Sequence, residues 1–132
     1  MTGKADLSWA VDANNFLYAF IATGYKQGGL NLPINSIPQQ PFRAEYVTDY
    51  EIGWKASALD DHVRTQLDGY YDKYHDFQVS IADPTILTQT LEVNDPSPST
   101  LYGVEASVQA VMGHFSLDAN VGWEHTSIGS FF

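Results

Sequence analysis

The chain has 132 residues, with 6 basic and 16 acidic side chains, a formal charge of −10, 44% hydrophobic and 14% aromatic residues, and no cysteine. This is enough for one domain, and the acidic balance excludes a phosphate-binding surface, so no nucleic-acid partner is expected. Without cysteine there are no disulfides, thiolate zinc sites or Cys nucleophiles, and no window of about 18 apolar residues offers a spanning helix. A membrane β-barrel stays open, because its strands need only about 9–11 residues and are half polar.

Alternation with a period of two begins almost at the first residue. In residues 4–12, Ala5, Leu7, Trp9 and Val11 share one face, opposite Lys4, Asp6, Ser8 and Asp12. A turn at residues 12–15 leads to a second strand at 16–25, whose two faces are both rich in apolar groups, so its facing is left open. Residues 25–46 contain three prolines and Gly28-Gly29 and read as one long loop. The third strand, 47–59, sets Tyr50, Ile52, Trp54, Ala56 and Ala58 against Asp49, Glu51, Gly53, Lys55 and Ser57. After a turn at 60–62, the fourth strand runs from 63 to about 79. Residues 80–100 form the second long loop, again with three prolines. The fifth strand, 101–110, and the sixth, 115–126, place Val104, Val108, Leu117 and Val121 opposite Glu105, Gln109, Asp118 and Glu124.

The connections alternate short and long, so an antiparallel meander gathers every tight turn at one end and both long loops at the other. Tyr25, Tyr46, Tyr50, Tyr71, Tyr74, Phe77, Tyr102 and Trp123 then fall near the long-loop end, as an interfacial aromatic girdle requires. The predicted fold class is all-β: an antiparallel up-and-down meander of about six strands, a partial transmembrane β-barrel wall. Small residues on the apolar face (Ala56, Ala58, Gly69, Ala106, Ala110, Ala119) would leave a soluble core thin, whereas lipid fills space around them. The competing reading is a small soluble β-barrel or sandwich that binds an apolar ligand or a glycan. The two differ in whether the apolar face is exposed or packed into a closed dry core.

Four segments carry a family resemblance. Residues 16–31, FLYAFIATGYKQGGLN, resemble the LYA…GYKxGGFN strand and loop of TonB-dependent outer-membrane receptors. Residues 47–55, VTDYEIGWK, resemble VTNYEIGxK; residues 70–79, YYDKYHDFQV, are similar to FYYDYKDLQV; and residues 101–105, LYGVE, to xYGVE. The order matches the family's and spans most of the chain. The resemblance implies a segment of the C-terminal β-barrel, over residues 1–132, of a transporter in the Gram-negative outer membrane that imports a scarce nutrient such as a ferric siderophore. Its implied partners are outer-membrane lipid, the remaining barrel strands, a plug domain, the TonB system reached through that plug, and a small-molecule or metal-chelate ligand. Neither the plug nor the TonB box is among these residues, so the segment is not expected to transport by itself.

No nucleophile constellation is present: there is no Gly-x-Ser-x-Gly, and the four histidines are scattered singly, so an enzyme is not expected. No cofactor is implied. The glycines at 24–29 lack the Lys-Ser/Thr and helix of a phosphate loop and read as turn residues. Asp72, His75 and Asp76, or Glu124 with His125, could offer metal ligands, but their spacing fits no tight ligand motif and a solvated rim explains both, so no metal is assigned. The inward carboxylates Asp49, Glu51, Asp68, Glu105 and Asp118 read as a wet lumen wall, or as an attraction for cationic solutes or for the plug. The family resemblance directs ligand capture to the long loops. Position and polarity there select Tyr25, Lys26, Gln27, Asn31 and Arg43 in the first, and Thr88, Gln89, Glu92 and Asn94 in the second.

Overall fold

The computed structural model describes residues 2–33, 40–82 and 89–129. Thr88 lies outside them. Six long strands form one antiparallel sheet in chain order: β1 (Gly3–Ala10), β2 (Asn15–Lys26), β5 (Glu45–Ala58), β6 (Val63–His75), β9 (Ser99–Met112) and β10 (Phe115–Ser127). Two ribbons lie between them, β3 (Gly29–Leu30) with β4 (Pro41–Phe42), and β7 (Gln78–Ala82) with β8 (Thr90–Asn94). No helix occurs among the described residues.

The predicted six-strand meander is therefore correct in number, order and direction, with three corrections. The fourth strand stops at His75 rather than 79, because Asp76 takes a left-handed backbone (φ 55°) that turns the chain away. Both long loops, read as irregular, carry ribbons. In the second, Val79 pairs with Val93 and Ile81 with Leu91, so alternation persists in two short stretches, 78–82 and 90–94, that contain no proline.

Register places Trp54, Leu67, Ala106 and Val121 in one row across four strands, and Ile52, Gly69, Val104 and Trp123 in the next. Glu51, Lys55, Asp68, Glu105 and Asp118 fall on the opposite surface, as the alternation predicts. The strand left unassigned is settled by its pairing. Leu17 and Ile21 join the apolar face opposite Trp54 and Tyr50, which turns Phe16, Tyr18 and Phe20 to the polar side.

The apolar face is bare. Ile52 is 64% exposed and Val121 70%, and Ala110 is the one buried hydrophobic side chain among the described residues. The closed dry core that a soluble barrel requires is thus missing from the described residues. Among the described residues β1 pairs only with β2, and β10 only with β9, which leaves that sheet open.

Half of the predicted girdle, Tyr50, Tyr71, Tyr102 and Trp123, forms a ladder on the apolar face. Tyr50, Tyr71 and Tyr102 stand side by side at 6.4 and 6.2 Å between ring centres, and Trp123 and His125 close on Tyr102 at 5.9 and 5.2 Å. Tyr74 is a correction: it pairs with Val47 and Ser99 on the polar face, and Phe77 packs edge-on against it at 5.4 Å.

Candidate functional site

The polar face is the lumen side in the barrel reading, and its chemistry is built around two glycines. Tyr18 lies directly across from Gly53, and its ring covers the space where a Cβ would stand. This lets the Tyr18 hydroxyl donate to Glu51 at 2.8 Å. Tyr70 repeats the arrangement over Gly103 and donates to Glu124 at 3.1 Å. Lys4 sits 4.0 Å above the Phe20 ring and Lys55 5.3 Å from that of Tyr18, so the scarce cations spread over aromatic faces of β2. Between these features, Asp49 opposes Asp72 and Asp68 opposes Glu105. Like charges in direct cross-strand pairs are unfavourable unless water reaches them, which suits a wet wall.

The two candidate metal groups do not assemble. Asp72 and His75 point to opposite faces of β6, Asp76 is taken by an ion pair with Arg43, and Glu124 and His125 likewise alternate on β10. No cluster of three or more metal-ligating side chains occurs among the described residues.

At the long-loop end the structure brings together most of the residues selected there. Asn31 of the first loop lays its carboxamide on the Glu92 peptide of the second, donating to the carbonyl at 2.8 Å and accepting from the N–H at 2.8 Å. Asn94 returns the same bond pair to Arg43, accepting from its N–H at 2.6 Å and donating to its carbonyl at 2.9 Å. Each carboxamide replaces one peptide rung of a ladder. Asn94 also donates to the Asp76 carbonyl at 2.7 Å, and the Glu92 carboxylate accepts from the Ser80 hydroxyl. The Arg43 side chain is 71% exposed. Lys26 ends β2 on the polar face and contributes a carbonyl, as does Gln27; Tyr25 faces outward opposite Tyr46; Gln89 precedes β8.

Sequence reasoning missed the centre of this cluster. Gln78 is 7% exposed; its carboxamide donates to the carbonyls of Gln27 and Arg43, both at 3.0 Å, and more weakly to that of Lys26 at 3.5 Å. Its backbone N–H donates to the Glu45 carboxylate at 2.8 Å. Asp95, 1% exposed, caps the following turn through the Ser97 N–H and the Ser99 hydroxyl, both at 2.9 Å. A sequence signal existed only for Asp95, in the Asp-Pro-Ser run. Gln78 and its acceptors Lys26 and Gln27 belong to two of the four resembling motifs, which meet here in space.

Residues 1–131 match the family described as TonB dependent receptor-like, beta-barrel. The fold is similar to the crystal structure of the ferric yersiniabactin uptake receptor FyuA from Yersinia pestis, with TM-score 0.70 and 22% identity over 96% of this chain. The chain spans 18% of that receptor's length. These are receptors rather than enzymes.

Proposed function

Because the chain belongs to the TonB-dependent receptor-like β-barrel family, a family of outer-membrane receptors, we propose that it forms a wall segment of a receptor importing a scarce nutrient such as a ferric siderophore. The similarity to a ferric chelate uptake receptor supports that substrate class. Residues 1–132 supply barrel strands alone; the remaining strands, the plug and its TonB contact belong to other parts of the receptor. One observation carries the reading: the apolar row through Trp54, Leu67 and Val121 is exposed on one face while Asp68 and Glu105 line the other. Such a two-faced sheet suits lipid on one side and water on the other.

In this reading the cluster joining the loops is the capture surface. Arg43, with its exposed guanidinium, Lys26 and Gln27 are the groups offered to ligand, Tyr25, Thr88 and Gln89 are further candidates by sequence position alone, and Asn31, Glu92 and Asn94 hold the frame. The test is uptake of iron-55, bound to hydroxamate, catecholate or phenolate chelators, by cells of a Gram-negative bacterium carrying the receptor. Uptake that depends on TonB and falls in Arg43→Ala at unchanged receptor level is expected. Uptake of every chelate unchanged by loss of the receptor would overturn the proposal.

A further inference from the structure

The buried polar side chains among the described residues are Gln78, Asp95 and Ser99, and all lie at the long-loop end, while the sheet exposes its large apolar groups. The packed interior of the described molecule is thus a polar joint between loops. Within it, Gln78 reaches from the second loop to the end of β2 through Gln27 and to the first loop through Arg43. Its NH₂ has two hydrogens, so the two 3.0 Å bonds saturate it and the 3.5 Å contact adds little. Arg43 is the other node: its N–H and C=O are held by Asn94 and its C=O also by Gln78, whereas its guanidinium rests on an exposed ion pair of small strength.

We propose that Gln78 is a positioning residue that locks the described ribbons of the two long loops, β3 with β4 and β7 with β8, into one body, so that they open as a unit and never separately. The lock is directional. From the second loop its carboxamide donates to two carbonyls at the two ends of the first, those of Gln27 and Arg43, and nothing apolar of the same length can make either bond; the Gln27 oxygen would lose this donor, whereas that of Arg43 would keep Asn94. The consequence for capture, that Arg43 meets its ligand from a frame held by both loops, rests on the ligand-capture reading above; the mechanical coupling does not.

Hydrogen–deuterium exchange by mass spectrometry on the detergent-solubilised receptor tests this without any ligand. In the unaltered chain, at a pH where exchange is limited by opening, peptides covering residues 40–44 and 90–94 should share one opening rate. Gln78→Met, which keeps the length and removes the donor, should speed exchange in both peptides by about tenfold or more while the interiors of β5 and β6 stay protected. Two unrelated opening rates in the unaltered chain would overturn the proposal, and that measurement needs no variant to fold. Acceleration confined to residues 78–94, or none at all, in Gln78→Met would overturn it as well. Loss of the import reading with a shared opening rate retained would leave the joint standing.

Discussion

Tyr18 and Tyr70 show how much a single missing Cβ organises on the lumen wall. At Gly103 an added methyl would meet the Trp123 carbonyl oxygen at 2.5 Å and the Tyr70 hydroxyl at 2.6 Å, and the first of these is backbone that cannot swing aside. Gly69, across from Val104 on the other face, has nothing closer than 3.7 Å. Gly103→Ala should therefore lower stability in detergent by roughly 1–3 kcal/mol, as overpacking does, and release Tyr70 from Glu124, while Gly69→Ala stays near neutral. Equilibrium urea unfolding of the two variants decides it. At the opposite end of the molecule, Asp12 accepts from the Asn14 N–H at 2.7 Å and from the Asn15 carboxamide at 3.0 Å. The Asn14 backbone bond first, and the Asn15 side chain second, hold its carboxyl below the ordinary carboxylate range. A depressed folded-state value means that the turn's contribution is full above that range and is lost as pH falls through the lowered value. NMR titration should find Asp12 lower than an ordinary carboxylate, and Asn15→Ala should move it back up.

At the scale of the element, each strand is a two-faced plank, and the faces differ in what they tolerate. Leu67 stands in the row with Trp54, Ala106 and Val121, near the middle of the apolar band, while its neighbour Asp68 opposes Glu105 on the wet side. Leu67→Arg should cost about 2–4 kcal/mol in a bilayer, the range for a cation on the lipid face at mid-depth. Asp68→Lys exchanges a like-charge pair for an opposite one and should change stability by less than about 1 kcal/mol. Folding into lipid vesicles, followed by tryptophan emission and denaturant titration, separates the two, and equal penalties would contradict the assigned facing. The ladder of Tyr50, Tyr71, Tyr102, Trp123 and His125 marks the upper limit of that band, with rings whose apolar bodies and polar tips suit a membrane interface.

At the scale of the whole molecule, the described residues form a sheet with no dry interior of its own. Soluble monomers rarely expose a contiguous apolar patch beyond a few hundred Å², yet Leu7, Trp9, Ile52, Leu67, Val104, Leu117 and Val121 are all exposed on one face. β1 and β10 each present one edge with no strand partner among the described residues, and in lipid every unpaired backbone group costs several kcal/mol. Expressed alone, residues 1–132 should aggregate or require detergent and become ordered only when further strands extend the wall. A monodisperse monomer with a cooperative thermal melt in detergent-free buffer, seen by sedimentation and circular dichroism, would refute this.

Strand number, order and facing were legible because alternation is local: whether Leu67 or Asp68 faces lipid follows from period two within one strand, and the tight turns at 12–15 and 60–62 impose antiparallel neighbours. β2 was the exception, since Phe16, Tyr18 and Phe20 are as apolar as Leu17, Ala19 and Ile21. Only pairing with β5 decided between the two sets, by placing Gly53 where the Tyr18 ring needed room. Asn31, Arg43, Glu92 and Asn94 were recognisable as polar loop residues, but not as partners in one frame. The bonds that join Asn31 to Glu92 and Arg43 to Asn94, and the Gln78 carboxamide to Gln27 and Arg43, link groups 35 to 61 positions apart, and a carboxamide that imitates a peptide rung looks in sequence like any other Asn or Gln. Faces come from the backbone's own repeat and so are written in the chain; the joint between the loops depends on distance in space, which exists only once the strands beneath have set their register.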